Sequence, residues 1–354
     1  MRPTVATMSD RIHPVSIEDA AEQIRGKSAL IICHVNPDGD ALGSATALRE
    51  LMVLSGGSGR IVTPSPVPER LSFITGDIDT SYTDGMEKDF DLVLTVDCAS
   101  PNQLGHLSCL ADKVDISFDH HENCTLYSPH VLYAGAPAAA LVIFDLFLHM
   151  SESYMLAGDP SGLLRRVYAG LSSDTGSFKY ANATPDAFAA AAEICHRLRE
   201  APVSDGAPID KMAPSDISAA LFDCVTMKDV EVRRIAYKNL RYICGGNIAV
   251  SFATHAEMKA AGLSIDDLGG MVDSVRAIGS TAVGIVLKES AKGIWRGSSR
   301  ANVDFDVSVP AALLGGGGHK RAAGFTVEAM TAAEAVEITE RVFGEALQKE
   351  GIHG

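Results

Sequence analysis

Leu30-Ile-Ile-Cys33-His34-Val-Asn-Pro-Asp38-Gly-Asp40-Ala-Leu-Gly-Ser44 decides the fold class of this chain. Residues 29–33 are a short apolar run, the pattern of a buried strand. Asn36, Pro37 and Gly39 break that strand into a turn. From 41 to 54 apolar residues return at helical spacing, so a helix follows. His34, Asp38 and Asp40 therefore sit at the carboxyl end of a strand, where open α/β sheets bind ligands. Two carboxylates and an imidazole crowded together are costly unless something positive binds among them. A divalent cation is the simplest such partner. Taken by themselves, Asp38 and Asp40 are also ordinary turn formers and helix caps.

The pattern repeats downstream. Residues 91–96 form an apolar strand closed by Asp97, and residues 114–118 another, followed by Asp119, His120 and His121. A shorter strand is expected at 60–62. Helical spacing covers 16–26, 137–150, 163–171 and 184–198, with Asp174 just beyond the third of these. Strands alternating with helices predict a doubly wound, mostly parallel sheet. One acidic strand end is usually a cap; three of them, together with Asp174, exceed what capping needs. Carboxylates with a minority of imidazoles suit manganese or a similar octahedral ion better than structural zinc. The ligand supply is enough for two ions sharing bridging carboxylates, the arrangement that clamps both oxygens of a phosphoryl displacement.

Composition narrows the field. A chain of 354 residues suggests two domains, and 46% hydrophobic residues suffice for two cores. The longest apolar stretch, 136–150, contains Asp145 and His149, so it reads as a buried helix and no membrane span is expected. Residues 1–11 lack the apolar core of a secretory signal and read as a frayed tail. The seven cysteines form no Cys-x-x-Cys pair and are odd in number, which fits reduced thiols and a cytoplasmic protein. A net charge of −15 opposes long polyanions, so no long nucleic acid is expected as partner. A nucleotide substrate is then short and held by local cations.

Residues 201–214, rich in Pro, Asp, Ser and Gly, read as a linker between a first domain, 1–200, and a smaller mixed-sheet α/β domain, 215–350. The second domain is expected to carry helical or turn-like segments at 215–224 and 230–236. Strands follow at 247–252, 281–288 and 294–299, and helices at 265–275 and 331–347. Its chemistry concentrates in Arg296-Gly-Ser-Ser-Arg300 and in Gly315-Gly-Gly-Gly-His319-Lys-Arg-Ala-Ala-Gly324-Phe325. Successive glycines let backbone N–H groups converge on one anion. A glycine turn before a buried helix is the plainer account.

Four segments resemble, in order, the motifs of the DHH phosphoesterases: His34 to Ser44, Val96-Asp97, Asp119-His120-His121 and Asp174-Thr-Gly-Ser-Phe178. The glycine-histidine stretch resembles the signature of the DHH-associated domain of the first type, and the pair resembles the nanoRNase/pAp phosphatase branch. The resemblance implies one metal held by His34, Asp38, Asp97 and Asp174, and a second held by Asp40, Asp97, His120 and Asp174. Two Mn2+ are implied, or another divalent metal such as Mg2+ or Co2+. It also implies that His121 faces the substrate phosphate as ligand or proton donor, and that Asp119 orients the histidines. Arg300, His319 and the amides of Gly316, Gly317 and Gly318 would then hold a phosphate, with the active site in an interdomain cleft. Ala301 departs from the serine usual there, so a hydroxyl group facing the substrate is missing or supplied by Ser298 or Ser299. Lys320 and Arg321 fill variable positions and are not counted in the site.

The implied activity is metal-dependent hydrolysis of short oligoribonucleotides, pAp (3′-phosphoadenosine 5′-phosphate) and linear or cyclic adenine dinucleotides. A RecJ-like exonuclease needs a longer chain and a more basic surface, and a second-family pyrophosphatase carries a different C-terminal signature. A silent nucleotide-sensing module would have lost a ligand, and none is lost. The oligomeric state stays open, a homodimer included. Crowding predicts that neutralising Asp97 relieves repulsion in the metal-free protein.

Overall fold

The computed structural model describes residues 12–202 and 205–352. The tail expected at 1–11 lies outside the described residues, as do Val203 and Ser204 of the expected linker. The chain forms two compact units, Met1–Cys224 and Val225–Gly354.

The first unit runs α1 (Ile17–Ile24), β1 (Ser28–Ile32), α2 (Gly39–Leu54), β2 (Ser58–Val62), β3 (Leu92–Val96), β4 (Ile116–Asp119) and β5 (His130–Leu132). It continues with α3 (Ala139–Ser153), α4 (Ser161–Asp174), α5 (Pro185–Leu198) and α6 (Pro214–Phe222). The sheet order is β2-β1-β3-β4-β5, and every pair is parallel. Both faces are covered, which is why the central strands are apolar without alternation. Helices α1 to α6 all pack on one face, however, and the 3-10 segment Pro101–Lys113 with Met86, Phe90 and Tyr127 covers the other, where double winding was expected to place helices. The order reverses between β1 and β3, so a crevice opens at their carboxyl ends. β1 delivers His34 to that crevice and β3 delivers Asp97.

Helix α2 starts where Asp38 caps it, accepting from the N–H groups of Asp40 and Ala41, both at 3.0 Å. The helix is buried nearly all round because α4 packs against it at short range. A Cβ on Gly43 would lie 2.6 Å from the Arg166 carbonyl oxygen. One on Gly170 would lie 2.6 Å from both the Ala140 Cβ and Asp40 Oδ1. Only glycine allows that approach, and it brings Asp40 near Asp174 at the end of α4.

The segment expected as a linker behaves otherwise. Ile209 and Asp210 are buried, and Asp210 receives the Arg166 guanidinium through two contacts of 2.5 and 3.2 Å. Glu50 joins the same guanidinium at 3.2 Å. Ile217 and Leu221 of α6 bury in the first unit's core. Proline and glycine marked turns here, not exposure, and the first unit extends to Cys224 instead of ending at 200.

The second unit runs α7 (Met227–Lys238), β6 (Arg241–Ile243), β7 (Ile248–Ala253), α8 (Met271–Arg276), β8 (Val283–Ala291) and β9 (Ile294–Ala301). It ends with α9 (Ser308–Leu313), β10 (Gly317–His319), β11 (Ala322–Glu328) and α10 (Ala332–Lys349). Its sheet order is β10-β11-β9-β8-β7-β6, antiparallel except between β7 and β8. Trp295, Phe325 and Phe343 centre one core, and Ile235, Met271 and Val286 belong to another. The helix expected over 265–275 is split, with a turn at Asp266–Leu268 and α8 beginning after Gly269-Gly270. No disulfide joins the cysteines, and among the described residues no helix is long and apolar enough to cross a membrane.

Candidate active site

Asp97 is the centre of the crevice. It is 3% exposed and holds φ at 56°, a left-handed conformation that Asp tolerates better than most residues. Its Oδ2 lies 3.4 Å from His34 Nε2. Its Oδ1 lies 3.4 Å from His120 Nε2 and has no hydrogen-bond partner among the described residues. An unsatisfied buried acceptor costs about 1–3 kcal/mol, more when charged. A cation removes that cost. His120 Nε2 also lies 3.6 Å from Asp174 Oδ2 and 3.9 Å from Asp40 Oδ2, and His34 Nε2 lies 3.8 Å from Asp38 Oδ1. These gaps are too long for hydrogen bonds. They are close to the separation of neighbouring ligands about an octahedral ion, roughly 3 Å for metal–oxygen bonds of ~2.1 Å.

Three groups have donor atoms within 4.8 Å of one another: His34, Asp38 and Asp97; Asp40, His120 and Asp174; and Asp97, His120 and His121. The first two each contain three of the four ligands that the family resemblance implied for one ion. The third adds His121, which the family resemblance implied at the substrate phosphate.

Backbone carbonyls fix the imidazoles. His34 Nδ1 donates to Val35 O at 2.7 Å, and His120 Nδ1 to Ala136 O at 2.8 Å. A carbonyl only accepts, so Nδ1 carries the proton and Nε2 faces the carboxylates. Asp119 Oδ1 accepts from the His120 N–H at 2.7 Å, the His121 N–H at 3.3 Å and His121 Nδ1 at 2.8 Å. It therefore positions both histidines.

Asp40 does two things. It is fully buried, and accepts from the N–H groups of Ala139 at 2.6 Å and Ala140 at 3.0 Å and from Ser44 Oγ at 3.1 Å. Ala138, at the N-cap of α3, supplies no side-chain oxygen, so Asp40 caps that helix from α2. Capping was a fair reading of Asp40, but the helix capped is not its own. Asp174 ends α4, and its carbonyl accepts from Asn182 Nδ2 at 3.1 Å. Gly176, Ser177 and Phe178 follow with φ of 57°, 56° and 60°, a left-handed run of the kind that clusters at functional sites.

The charges are strongly biased. Burial, reinforced by Asp40, Asp38 and Asp97, pushes the Asp174 carboxyl up to about 9. Burial and Asp97 push Asp40 up to about 7. Burial opposes ionisation of Asp97, yet His120 and His34 hold it well below the usual carboxylate range. Burial depresses His34 and His120, but the carboxylates win: Asp38 and Asp97 raise His34 to about 11, and Asp97 and Asp40 raise His120 to about 10. His121 is raised by its hydrogen bond to Asp119. Without a cation the cluster compensates its carboxylates with protons.

In the second unit Arg300 is half-buried on β9, with Nη1 donating to Ser299 O at 3.0 Å. His319 is exposed on β10 opposite Ala322. The Gly316 N–H donates to Ala311 O at 2.9 Å, so that amide is engaged inside the unit. A Cβ on Gly316 would meet Gly324 O at 2.0 Å, and one on Gly318 would meet Ala322 O at 2.4 Å. The tight β10–β11 hairpin demands these glycines on its own account. Ala301 is buried, and Ser299 Oγ donates to Ala323 O at 3.1 Å. Of the two hydroxyls suggested as substitutes, only that of Ser298 lies on the open side of the strand.

Residues 28–171 match the family model described as the DHH family, N-terminal domain, and residues 232–345 match the DHHA1 domain. The bifunctional oligoribonuclease and PAP phosphatase NrnA of Thermus thermophilus is 26% identical over 325 residues, covering 91% of this chain and 90% of that one. The probable bifunctional oligoribonuclease and PAP phosphatase NrnA of Streptococcus mutans is 25% identical over 300 residues, covering 82% and 86%. The crystal structure of an exopolyphosphatase-related protein from Bacteroides fragilis matches with a TM-score of 0.79 at 19% identity, over 94% of this chain and 96% of that one, a likeness of fold.

Proposed function

This chain belongs to the DHH family of phosphoesterases and carries a DHHA1 domain, and from that premise we propose that it hydrolyses short oligoribonucleotides and small adenine nucleotides such as pAp. Linear and cyclic di-adenylates are included in the proposal, and long nucleic acid is not. The names of the two relatives support the substrate class. The observation that carries the metal dependence is the buried Asp97 Oδ1, without a hydrogen-bond donor and flanked by two groups of ligating side chains.

In this reading His34, Asp38, Asp97 and Asp174 hold one ion, and Asp40, Asp97, His120 and Asp174 a second, with manganese the preferred metal. A bound divalent cation supplies charge neutralisation at the phosphoryl group and activation of water. Asp119 holds His121 by Nδ1, which leaves Nε2 to carry a proton to the leaving oxygen. Arg300, His319 and the amides of Gly317 and Gly318 hold the substrate phosphate.

The test is release of mononucleotides from a dinucleotide, and of phosphate from pAp, by purified protein in manganese with and without chelator. Arg300→Lys should lose much of what Arg300→Ala loses on the dinucleotide, because a lysine does not reproduce a bidentate contact. That loss is about tenfold to hundredfold in kcat/KM, from a charge-assisted bond of about 1.5–3 kcal/mol. Activity that survives chelation, or no activity on any member of the panel, overturns the reading.

A further inference from the structure

One face of the second unit's sheet is covered over β7 and β8 by α7 and α8, with Val286 buried among them, and is open and basic from β9 outward. Along β9, Trp295, Gly297, Ser299 and Ala301 are buried, while Ile294, Arg296, Ser298 and Arg300 are exposed or half-buried. Residues directly opposite on antiparallel strands share a face. Lys288 of β8 lies opposite Arg296. On the other side of β9, β11 places Thr326 opposite Arg296, Gly324 opposite Ser298 and Ala322 opposite Arg300. His319 of β10 lies opposite Ala322. Lys288, Arg296, Arg300 and His319 therefore lie on one face, Lys288 half-buried beside the covered Val286, and on β9 and β11 only Ser298, Ala322, Gly324 and Thr326 stand between the cations.

This arrangement is unfavourable by itself. Like charges directly opposite on neighbouring strands destabilise a sheet. Burial, then Arg296 and Arg300, draw the Lys288 ammonium below its usual range. The chain has 45 acidic residues, yet among the described residues none forms an ion pair with Lys288, Arg296 or Arg300. Asp266 is the acid whose charge Lys288 senses, and it lies beyond ion-pair distance. Glu328 stands opposite Ile294, diagonal to Arg296 on the same face, and among the described residues it forms no ion pair with Arg296.

We propose that Lys288 and Arg296 form a second phosphate subsite, separate from Arg300 and His319, which takes a backbone phosphate further along an oligonucleotide. Arg296 and Arg300 are four strand residues apart, about 13 Å at ~3.3 Å per residue. That distance exceeds the separation of two phosphates on one nucleoside and is matched by a chain of several nucleotides. The small residues between the cations leave the backbone room to lie along the face. This subsite rests on the reading in which Arg300 holds a substrate phosphate, and it makes the enzyme sensitive to substrate length.

The experiment compares wild type with the double variant Lys288→Gln/Arg296→Gln in manganese. Turnover is followed on pAp and on a tetranucleotide, and binding on a labelled tetranucleotide with phosphorothioate linkages that resist cleavage. The expected result is a KM raised roughly tenfold on the tetranucleotide with kcat little changed, and less than a twofold effect on pAp. The salt dependence of tetranucleotide binding should become shallower, by about 0.7 in the log–log slope for each phosphate that is no longer neutralised. Arg296→Lys alone should keep most of the binding. Equal losses on both substrates, or unchanged tetranucleotide binding by a folded double variant, overturn the subsite. Because binding is read without turnover, an inactive wild type would reject the phosphoesterase reading while the subsite is still decided.

Discussion

Asp174→Asn should make the metal-free protein more stable and the metal-loaded protein less so. The Asp174 carboxyl group makes no hydrogen bond among the described residues, and burial with three neighbouring carboxylates raises it from 3.8 to about 9. At neutral pH the unfolded chain ionises this group freely, whereas the folded chain must hold it protonated. Each pH unit above the unfolded value costs the fold about 1.4 kcal/mol, so the ceiling at pH 7 is about 4 kcal/mol. Asparagine carries no such penalty. Even half of that gain raises Tm by about 4 °C or more for a unit of this size. The sign follows from a folded value above the unfolded one. The carboxyl favours folding only at low pH, so the gain from asparagine is absent below 3.8 and grows until about 9. In excess manganese the order inverts once the metal's contribution to wild type exceeds that gain: about 2.7 kcal/mol at a hundredfold the Kd outweighs half of the ceiling, and about 4.1 kcal/mol at a thousandfold matches all of it. Thermal melts of both proteins in chelator and in manganese, taken across that pH window, test this directly. A variant that melts below wild type in chelator at neutral pH refutes the reasoning and makes Asp174 a structural residue.

Asp97→Asn should behave in the opposite way, because His34 and His120 stabilise that carboxylate. It should lower metal-free stability above the unfolded carboxyl pKa, with the loss fading as pH falls; a higher Tm in chelator would restore the simple crowding argument, which this geometry corrects. Manganese binding should release at least one proton per protein near neutrality, since His34, His120 and Asp174 hold protons there. Calorimetry in buffers of different ionisation enthalpy reads this, and an affinity independent of pH would contradict it. Gly170→Ala should cost about 1–3 kcal/mol and weaken metal binding, because its methyl would meet Asp40 Oδ1 at 2.6 Å. Denaturant unfolding with metal titration checks it, and wild-type values for both would mean that α4 shifts freely.

The strand ends were legible because parallel strands announce themselves as unbroken apolar runs that stop at a polar residue. His34, Asp97 and His120 were found that way. That they meet was not written locally: it depends on β3 lying beside β1, a strand order that no window of sequence contains. Asp40 illustrates the same limit, since its partners Ala139 and Ala140 are a hundred residues away. β11 did carry a signal, the alternation of Ala323, Phe325 and Val327, but the glycine-rich hairpin in front of it masked the period. β5 is only three residues long, too short for any pattern. The packed stretch around Ile209 was hidden for a different reason. Turn residues describe the path of the backbone and say nothing about whether a neighbouring arginine covers it.

The cap that Asp40 places on α3 ties metal occupancy to a signal carried far from any titrating side chain. The amide protons of Ala139 and Ala140 point straight at the carboxylate, so whatever withdraws electron density from its oxygens must be felt in their chemical shifts and exchange rates. Two backbone amides at the start of a helix thus serve as a built-in spectroscopic gauge. Isotope labelling can read the filling of the Asp40 side of the cluster during turnover, without a dye and without altering a single ligand.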